Sequence, residues 1–303
     1  VATLPTVAGE DVVLRILAST EAMPLEALHL SESDYTNLKE IISRPYGIIL
    51  VVGPTGSGKT TTLHAALAYI NTPEKKIWTA EDPVEITQEG LRQVEVKPKI
   101  EFDFARAMRS FLRANPDVIM VGEMRDRETA HIGIEASLTG HLVLSTLHTN
   151  SAPETITRLI DMGIDPLNFA DSILGILAQR LVRTLCKKCK ESYHPDREEF
   201  ESLSQSYGER FPQLGIVYDD KLALYKPKGC DECNHSGYKG RAGIYELLTG
   251  TKDIKRVIAK RGTVEEIRQQ AIKDGMRTLY QDGIAKVFSG LTTYKQVRSV
   301  CIQ

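Results

Sequence analysis

Unbroken apolar runs at Gly47-Ile48-Ile49-Leu50-Val51-Val52, at Val118-Ile119-Met120-Val121 and from Leu142 to Leu144, the start of a strand expected to reach Thr146, lack the alternation of half-exposed strands and read as strands buried on both faces. Between and beyond them, Thr61 to Ile70, Phe104 to Arg113, Arg127 to Ser137 and Pro153 to Asp161 read as helices of ten or so residues. A further strand is expected over Lys76 to Ala80, and a more polar one over Arg92 to Val96. Ahead of the first run, Ser31 is a candidate N-cap for an amphipathic helix that carries Leu38, Ile41 and Ile42 and ends before Pro45. Strands alternating with helices predict an α/β fold whose mainly parallel sheet is covered on both faces.

The two ends depart from this rhythm. Residues 1–22 hold one β-type segment, Val12-Val13-Leu14-Arg15-Ile16-Leu17, and then a linker from Ser19 to Pro24. That is too little to form a core alone, so it is expected to be the remnant of an amino-terminal lobe, and the opening without Met suggests a fragment. Residues 23–185 are the expected core. Residues 186–238 form a cysteine-bounded segment rich in charge, Tyr and Pro. Residues 239–303 are expected to be helical, with a capping box at Thr263-Val264-Glu265-Glu266 and Ile267, Ala271 and Ile272 on one face.

Composition narrows the classes. The 38 basic and 40 acidic residues nearly balance, so neither nucleic-acid binding nor disorder is announced by charge. The longest apolar runs fall far short of the roughly 20 residues of a membrane span, which leaves only peripheral membrane contact. Four of the five cysteines form two Cys-x-x-Cys pairs, the usage of metal ligands in a reducing cytoplasm rather than of a secreted disulfide frame.

The sharpest chemical signal is Gly53-Pro54-Thr55-Gly56-Ser57-Gly58-Lys59-Thr60, followed by Thr61, set between a strand and a helix. The spacing G-x-x-x-x-G-K-T is that of a P-loop: glycines let successive N–H groups face phosphate oxygens, Lys59 supplies a charge on the β/γ phosphates, and Thr60 supplies a hydroxyl for Mg²⁺. The helix it opens adds its positive dipole end.

Hydrolysis needs an acidic strand end, and Asp117-Val118-Ile119-Met120-Val121-Gly122-Glu123 offers one. Gly122 occupies the position where an Asp usually orients Mg²⁺, so Glu123 is the leading candidate base, the alternative being a Glu that caps the following helix. The carboxylates of Glu81-Asp82-Pro83-Val84-Glu85 follow another strand and are either ligand-facing or a solvated turn. His141 and His148 flank the strand Leu142 to Thr146, either as structural histidines or as sensors of the γ-phosphate. Cys186-Lys187-Lys188-Cys189 and Cys230-Asp231-Glu232-Cys233 form two knuckles whose four thiolates complete a closed tetrahedral Zn²⁺ shell, the alternative being reduced cysteines or a redox pair. Tyr193, Phe200 and Phe211 between them are expected to pack as a small subdomain, and Cys301 stands outside the pattern. The basic turn Gly237-Tyr238-Lys239-Gly240-Arg241 reads as a solvated loop or as a contact for a neighbouring subunit or partner.

The P-loop, Glu81-Asp82-Pro83-Val84-Glu85, Gly122-Glu123-Met124-Arg125-Asp126 and the pair Thr139-Gly140-His141 and Leu147-His148-Thr149-Asn150 resemble the four ordered boxes of the secretion ATPase superfamily, over nearly the whole chain. The chain is similar to its type II secretion and type IV pilus assembly branch, which the tetracysteine module marks. The resemblance implies a RecA-like P-loop NTPase core with a tetracysteine zinc subdomain and a helical carboxy-terminal region, using ATP, Mg²⁺ and Zn²⁺. It implies that Glu81, Asp82 and Glu85 are an aspartate box, Glu123 the catalytic glutamate, and His141 and His148 a histidine box. It also implies a cytoplasmic homohexamer, peripheral at the inner-membrane face, that acts on membrane platform proteins and not on nucleic acid. A PAS-like amino-terminal lobe would lend an arginine to the phosphates, and Arg15 matches one such position, an exposed strand Arg being the alternative. The expected function is a motor ATPase powering pseudopilus assembly and protein export in type II secretion, or type IV pilus assembly. A nucleic-acid translocase is disfavoured by charge and by the lack of a basic and aromatic platform. A nucleotide-gated scaffold stays open because of Gly122.

Overall fold

The computed structural model describes residues 2–14 and 21–301. Its first element is a hairpin of β1 (Ala2–Thr6) against β2 (Gly9–Val13), closed by the Thr6 hydroxyl donating to Gly9 O at 2.9 Å. The strand expected over Val12 to Leu17 therefore ends at Val13 and is paired with a strand that Pro5 disguises, since proline is tolerated only at strand edges. Arg15 lies outside the described residues.

The remaining strands in chain order are β3 (Gly47–Val52), β4 (Ile77–Glu81), β5 (Arg92–Glu95), β6 (Val118–Val121), β7 (Leu142–Leu147), β8 (Ile173–Leu185), β9 (Glu191–Tyr193), β10 (Leu224–Lys226) and β11 (Tyr238–Thr249). Seven of them make one sheet in the order β11-β8-β3-β7-β6-β4-β5, parallel throughout except for the antiparallel pair β8 and β11. Every residue of β3 is buried, and its alternate side chains feed two cores. Ile48, Leu50 and Val52 face one, with α3 (Phe104–Leu112), α4 (Arg127–Leu138), α5 (Ala152–Asp161) and α6 (Pro166–Ser172). Ile49 and Val51 face the other, with α1 (Glu32–Ile42) and α2 (Lys59–Ile70). This is the double covering that the unbroken apolar runs imply.

Ser31 caps α1 by accepting Asp34 N–H at 3.1 Å, as expected. Past β8 the chain makes α7 (Arg197–Tyr207) and, after β11, α8 (Lys252–Ala259), α9 (Val264–Lys273), α10 (Leu279–Phe288) and α11 (Tyr294–Val300). The capping box at Thr263 and Glu266 opens α9. The segment before Lys252 is not helical: residues 238–249 are the long partner of β8, a strand whose two-sided burial removes any period that sequence can show. Phe200 and Phe211 do pack together, at 5.6 Å between rings, but they share Phe288 of α10, so the cysteine-bounded segment and the last helices have a joint core. Asp282 of α10 accepts Tyr245 N–H and the Lys286 ammonium, which fixes that helix to β11. Among the described residues no helix is long and apolar enough to cross a membrane.

Candidate nucleotide site and tetracysteine centre

The carboxyl ends of β3, β4, β6 and β7 open into one cleft of about 570 Å³. Its floor is the loop Thr55 to Thr61. Gly53, Gly56 and Gly58 have φ of 151°, 77° and 88°, values at which a side chain is strained, and Gly58 is the N-cap of α2. The loop thus curls around the amino end of a twelve-residue helix, where unpaired N–H groups and the helix dipole favour an anion. The Lys59 ammonium lies across the loop, donating to Gly53 O at 2.8 Å and Pro54 O at 3.1 Å. Burial draws it below the ordinary lysine value, the Glu123 carboxylate opposes that, and Arg180 adds to it. Thr60 and Thr61 stand in the first turn and line the cleft.

Glu123 follows β6 and faces the loop. Its two oxygens are held separately, one by His148 Nε2 at 3.0 Å and the other by Arg125 Nε at 2.6 Å. It does not cap α4: that task falls to Asp126, which accepts Thr129 N–H at 2.8 Å. The backbone beneath it is stitched to the neighbouring strand, with Thr146 Oγ1 donating to Gly122 O at 2.6 Å and Met124 N–H to Thr146 O at 2.9 Å. A Cβ at Gly122 would stand 3.2 Å from Ala80 O and 3.5 Å from the Phe104 ring. A longer acidic side chain would crowd that wall, a steric reason for glycine before Glu123.

Glu81, at the end of β4, is 3% exposed and engaged on both oxygens: Thr79 Oγ1 at 2.6 Å and Gln93 Nε2 at 3.0 Å on one, His64 Nε2 at 3.1 Å on the other. Burial pushes its pKa up, but the hydrogen bonds from His64, Gln93 and Thr79 outweigh it and hold the carboxyl below the ordinary range. Gln88 donates to His64 Nδ1 at 2.6 Å, so helix α2, strands β4 and β5 and the loop between them meet in one buried polar knot. Asp82 and Glu85 line the cleft beyond it. His64→Phe is expected to lower stability by about 1–3 kcal/mol, because it strips a donor from a buried carboxylate. A denaturant titration with an unchanged midpoint would show that Glu81 is held without His64.

The two histidines part company. His148 closes the cleft beside Glu123, whereas His141 precedes β7 at its opposite end, its Nδ1 2.9 Å from Ala136 O. A six-residue strand is roughly 20 Å long, so the structure does not bring His141 to the phosphate loop. Residues that sequence reasoning left unassigned also reach the site. Arg125 sits two positions after Glu123. Arg241, from the basic turn, lines the cleft instead of only facing solvent, while its neighbour Lys239 pairs with Glu232. Gln179 and Arg180 of β8 contact the loop and Asn150; a polar pair inside an otherwise apolar run was the available signal.

At the far end of β8 and β11, Cys186, Cys189, Cys230 and Cys233 converge, their sulfurs all within 4.8 Å of one another. Sγ separations of 3.9, 3.8 and 3.8 Å match the edge of about 3.8 Å that a tetrahedron with metal–sulfur bonds of about 2.3 Å requires, and exceed a disulfide bond nearly twofold. Backbone N–H groups of Gly229, Cys230 and Gly237 donate to Cys189 or Cys233 at 3.2 to 3.3 Å, bonds that hold the sulfurs in place and favour their anionic form. Four sulfurs fill such a shell, so the centre suits structure and not substrate. Cys301 is not part of it.

Sheet order, loop and cleft define a RecA-like P-loop NTPase core joined to a tetracysteine module. The model of the type II/IV secretion system protein family matches residues 1–299, and the chain belongs to that family. It is 48% identical over 298 residues to type II secretion system protein E of Dickeya dadantii, covering 98% of this chain and 57% of that protein. It is likewise 48% identical over 299 residues to the type IV pilus assembly ATPase PilB of Pseudomonas aeruginosa, covering 98% of this chain and 51% of that one. The chain thus spans little more than half the length of these relatives. Among solved structures it resembles the pilus retraction motor PilT with bound ADP, at a TM-score of 0.70 and 28% identity, over 99% of this chain and 73% of that one. The DotB ATPase of Legionella pneumophila shares the fold, at a TM-score of 0.65 and 23% identity over 93% of this chain and 66% of that one.

Proposed function

We propose that the chain is the ATP-hydrolysing part of a motor that drives pseudopilus assembly and protein export in type II secretion; the equal identity to a pilus assembly ATPase keeps type IV pilus assembly as the second reading. The observation that carries hydrolysis is Glu123, whose two oxygens are oriented by His148 and Arg125 on the wall facing Lys59. In this reading the loop's N–H groups and Lys59 bind the phosphates and Thr60 ligates Mg²⁺. Glu123 accepts a proton from the attacking water, and the γ-phosphoryl passes to that water's oxygen with ADP leaving. Asp82 and Glu85, which line the cleft beside Glu81, would help to hold the Mg²⁺ and its water when nucleotide is bound. The cysteine centre holds Zn²⁺ as a structural ion.

The unit works as a cytoplasmic homohexamer at the inner-membrane face, pushing on platform proteins. In this reading residues 1–22 belong to an amino-terminal lobe that would lend the arginine Arg15 to the phosphates, residues 23–185 are the core, residues 186–238 the cysteine module, and residues 239–303 return to the core sheet as β11 before ending in helices. Phosphate release measured against protein concentration tests this. Turnover per chain is expected to rise with concentration and to drop by about 100-fold in Lys59→Ala. Absence of MgATP binding would sink the reading, and a severalfold stimulation by single-stranded DNA would hand it to a translocase.

A further inference from the structure

We infer that Gln179 is a positioning residue for the phosphate loop: a buried amide on β8 that seats Ser57 and thereby sets nucleotide affinity. The inference rests on the cleft being a nucleotide site. Gln179 is 1% exposed, and its Nε2 donates to Ser57 O at 2.6 Å. The approach is as close as backbone allows. A Cβ on Gly53 would lie 2.5 Å from Gln179 O, and one on Gly58 3.2 Å from Gln179 Nε2. Gly53 is therefore required by this strand as well as by its positive φ, while Gly58, also at positive φ, comes close to the amide itself. The next residue, Arg180, donates to Asn150 O at 3.0 Å and Asn150 Oδ1 at 3.1 Å, two positions beyond His148. One stretch of β8 thus grips both the loop and the segment that carries His148.

The bond to Ser57 O has a physical purpose. A loop that binds phosphate through its N–H groups must keep its carbonyls turned away, and a carbonyl turned into the protein needs a donor there. Gln179 is that donor. Ser57 Oγ and Gln179 Oε1 are two of the buried side-chain atoms without a partner among the described residues. One is a hydroxyl donor and the other an amide acceptor, on two residues already joined by a first bond. A small settling of the loop onto a phosphate pairs them, which turns a one-point contact into a two-point clamp that forms with ligand.

MgADP affinity, the KM and kcat for ATP, and the melting temperature without nucleotide would be measured for wild type, Gln179→Met, Ser57→Ala and the double variant. Gln179→Met keeps the shape and removes the amide, and Ser57→Ala leaves the backbone contact in place should the first variant fold poorly. Expected are a loss of MgADP affinity of about tenfold or more with a matching rise in KM and a kcat within about threefold of wild type for Gln179→Met, and a smaller loss of affinity for Ser57→Ala. The double variant should bind no more weakly than Gln179→Met, because the second bond needs both residues. Wild-type affinity in Gln179→Met, or additive losses in the double variant, would overturn the clamp while leaving the nucleotide site intact. Failure of the wild type to bind MgADP would overturn the site and the clamp together.

Discussion

Glu123→Gln is expected to cut steady MgATP turnover by about 100-fold or more while nucleotide still binds, the range for removing a positioned general base. The substitution keeps the shape and leaves an oxygen for the His148 contact now made at 3.0 Å. What it removes is the ability to take a proton from water. Arg125 is mostly exposed and can swing away from an amide, so little strain should follow. Gly122 concentrates the effect on this one residue, because the wall of Ala80 and Phe104 stands where an adjoining side chain just past β6 would be, and position 122 therefore offers no second carboxylate beside Glu123. Binding of a fluorescent ADP analogue, measured beside phosphate release, separates loss of chemistry from loss of site. Full turnover in the variant would remove Glu123 from the mechanism and revive a scaffold that only binds.

The second large effect concerns the cysteine centre. Freshly purified protein is expected to carry about one zinc per chain, and Cys189→Ser or Cys233→Ser to lose it. Folding free energy linked to a structural zinc is on the order of 10 kcal/mol in small domains, so the segment from Cys186 to Cys233 should unfold first. Limited proteolysis after chelation should therefore cut near residues 186–238 while the parallel part of the sheet resists. Much less than one metal per chain, together with unchanged protease resistance in the serine variants, would dismiss a structural ion.

What sequence makes legible follows from how local each feature is. The loop from Gly53 to Thr60 is contiguous, and its strand and helix adjoin it, so motif and placement agree. The two cysteine knuckles are each local, and their long separation is bridged because β8 and β11 run side by side. The knot around Glu81 is different: His64, Thr79, Gln88 and Gln93 come from a helix, two strands and a loop, and no spacing joins them. The separation of His141 from His148 is legible in the spacing itself, since two residues flanking one strand lie at its opposite ends. Strands β8 and β11 are obscured for another reason. Buried on both faces for much of their length, they show neither helical nor alternating period.

That pair of strands also constrains how the chain can vary. Gln179 touches the phosphate loop from within β8, and Cys186 of the cysteine cluster directly follows its last residue, Leu185, so one run of alternating side chains leads from one to the other. Adding or removing a single residue between them would invert every side chain on one side of the change, so only the parity of that interval, not its exact composition, is unforgiving. Length is freer where the chain leaves the ribbon and runs outside the aromatic packing of Phe200 and Phe211 on Phe288, at the exposed turn of residues 219–221. A change of size at that turn would alter the outer surface without disturbing the phasing of β8 between the phosphate loop and the cysteine cluster.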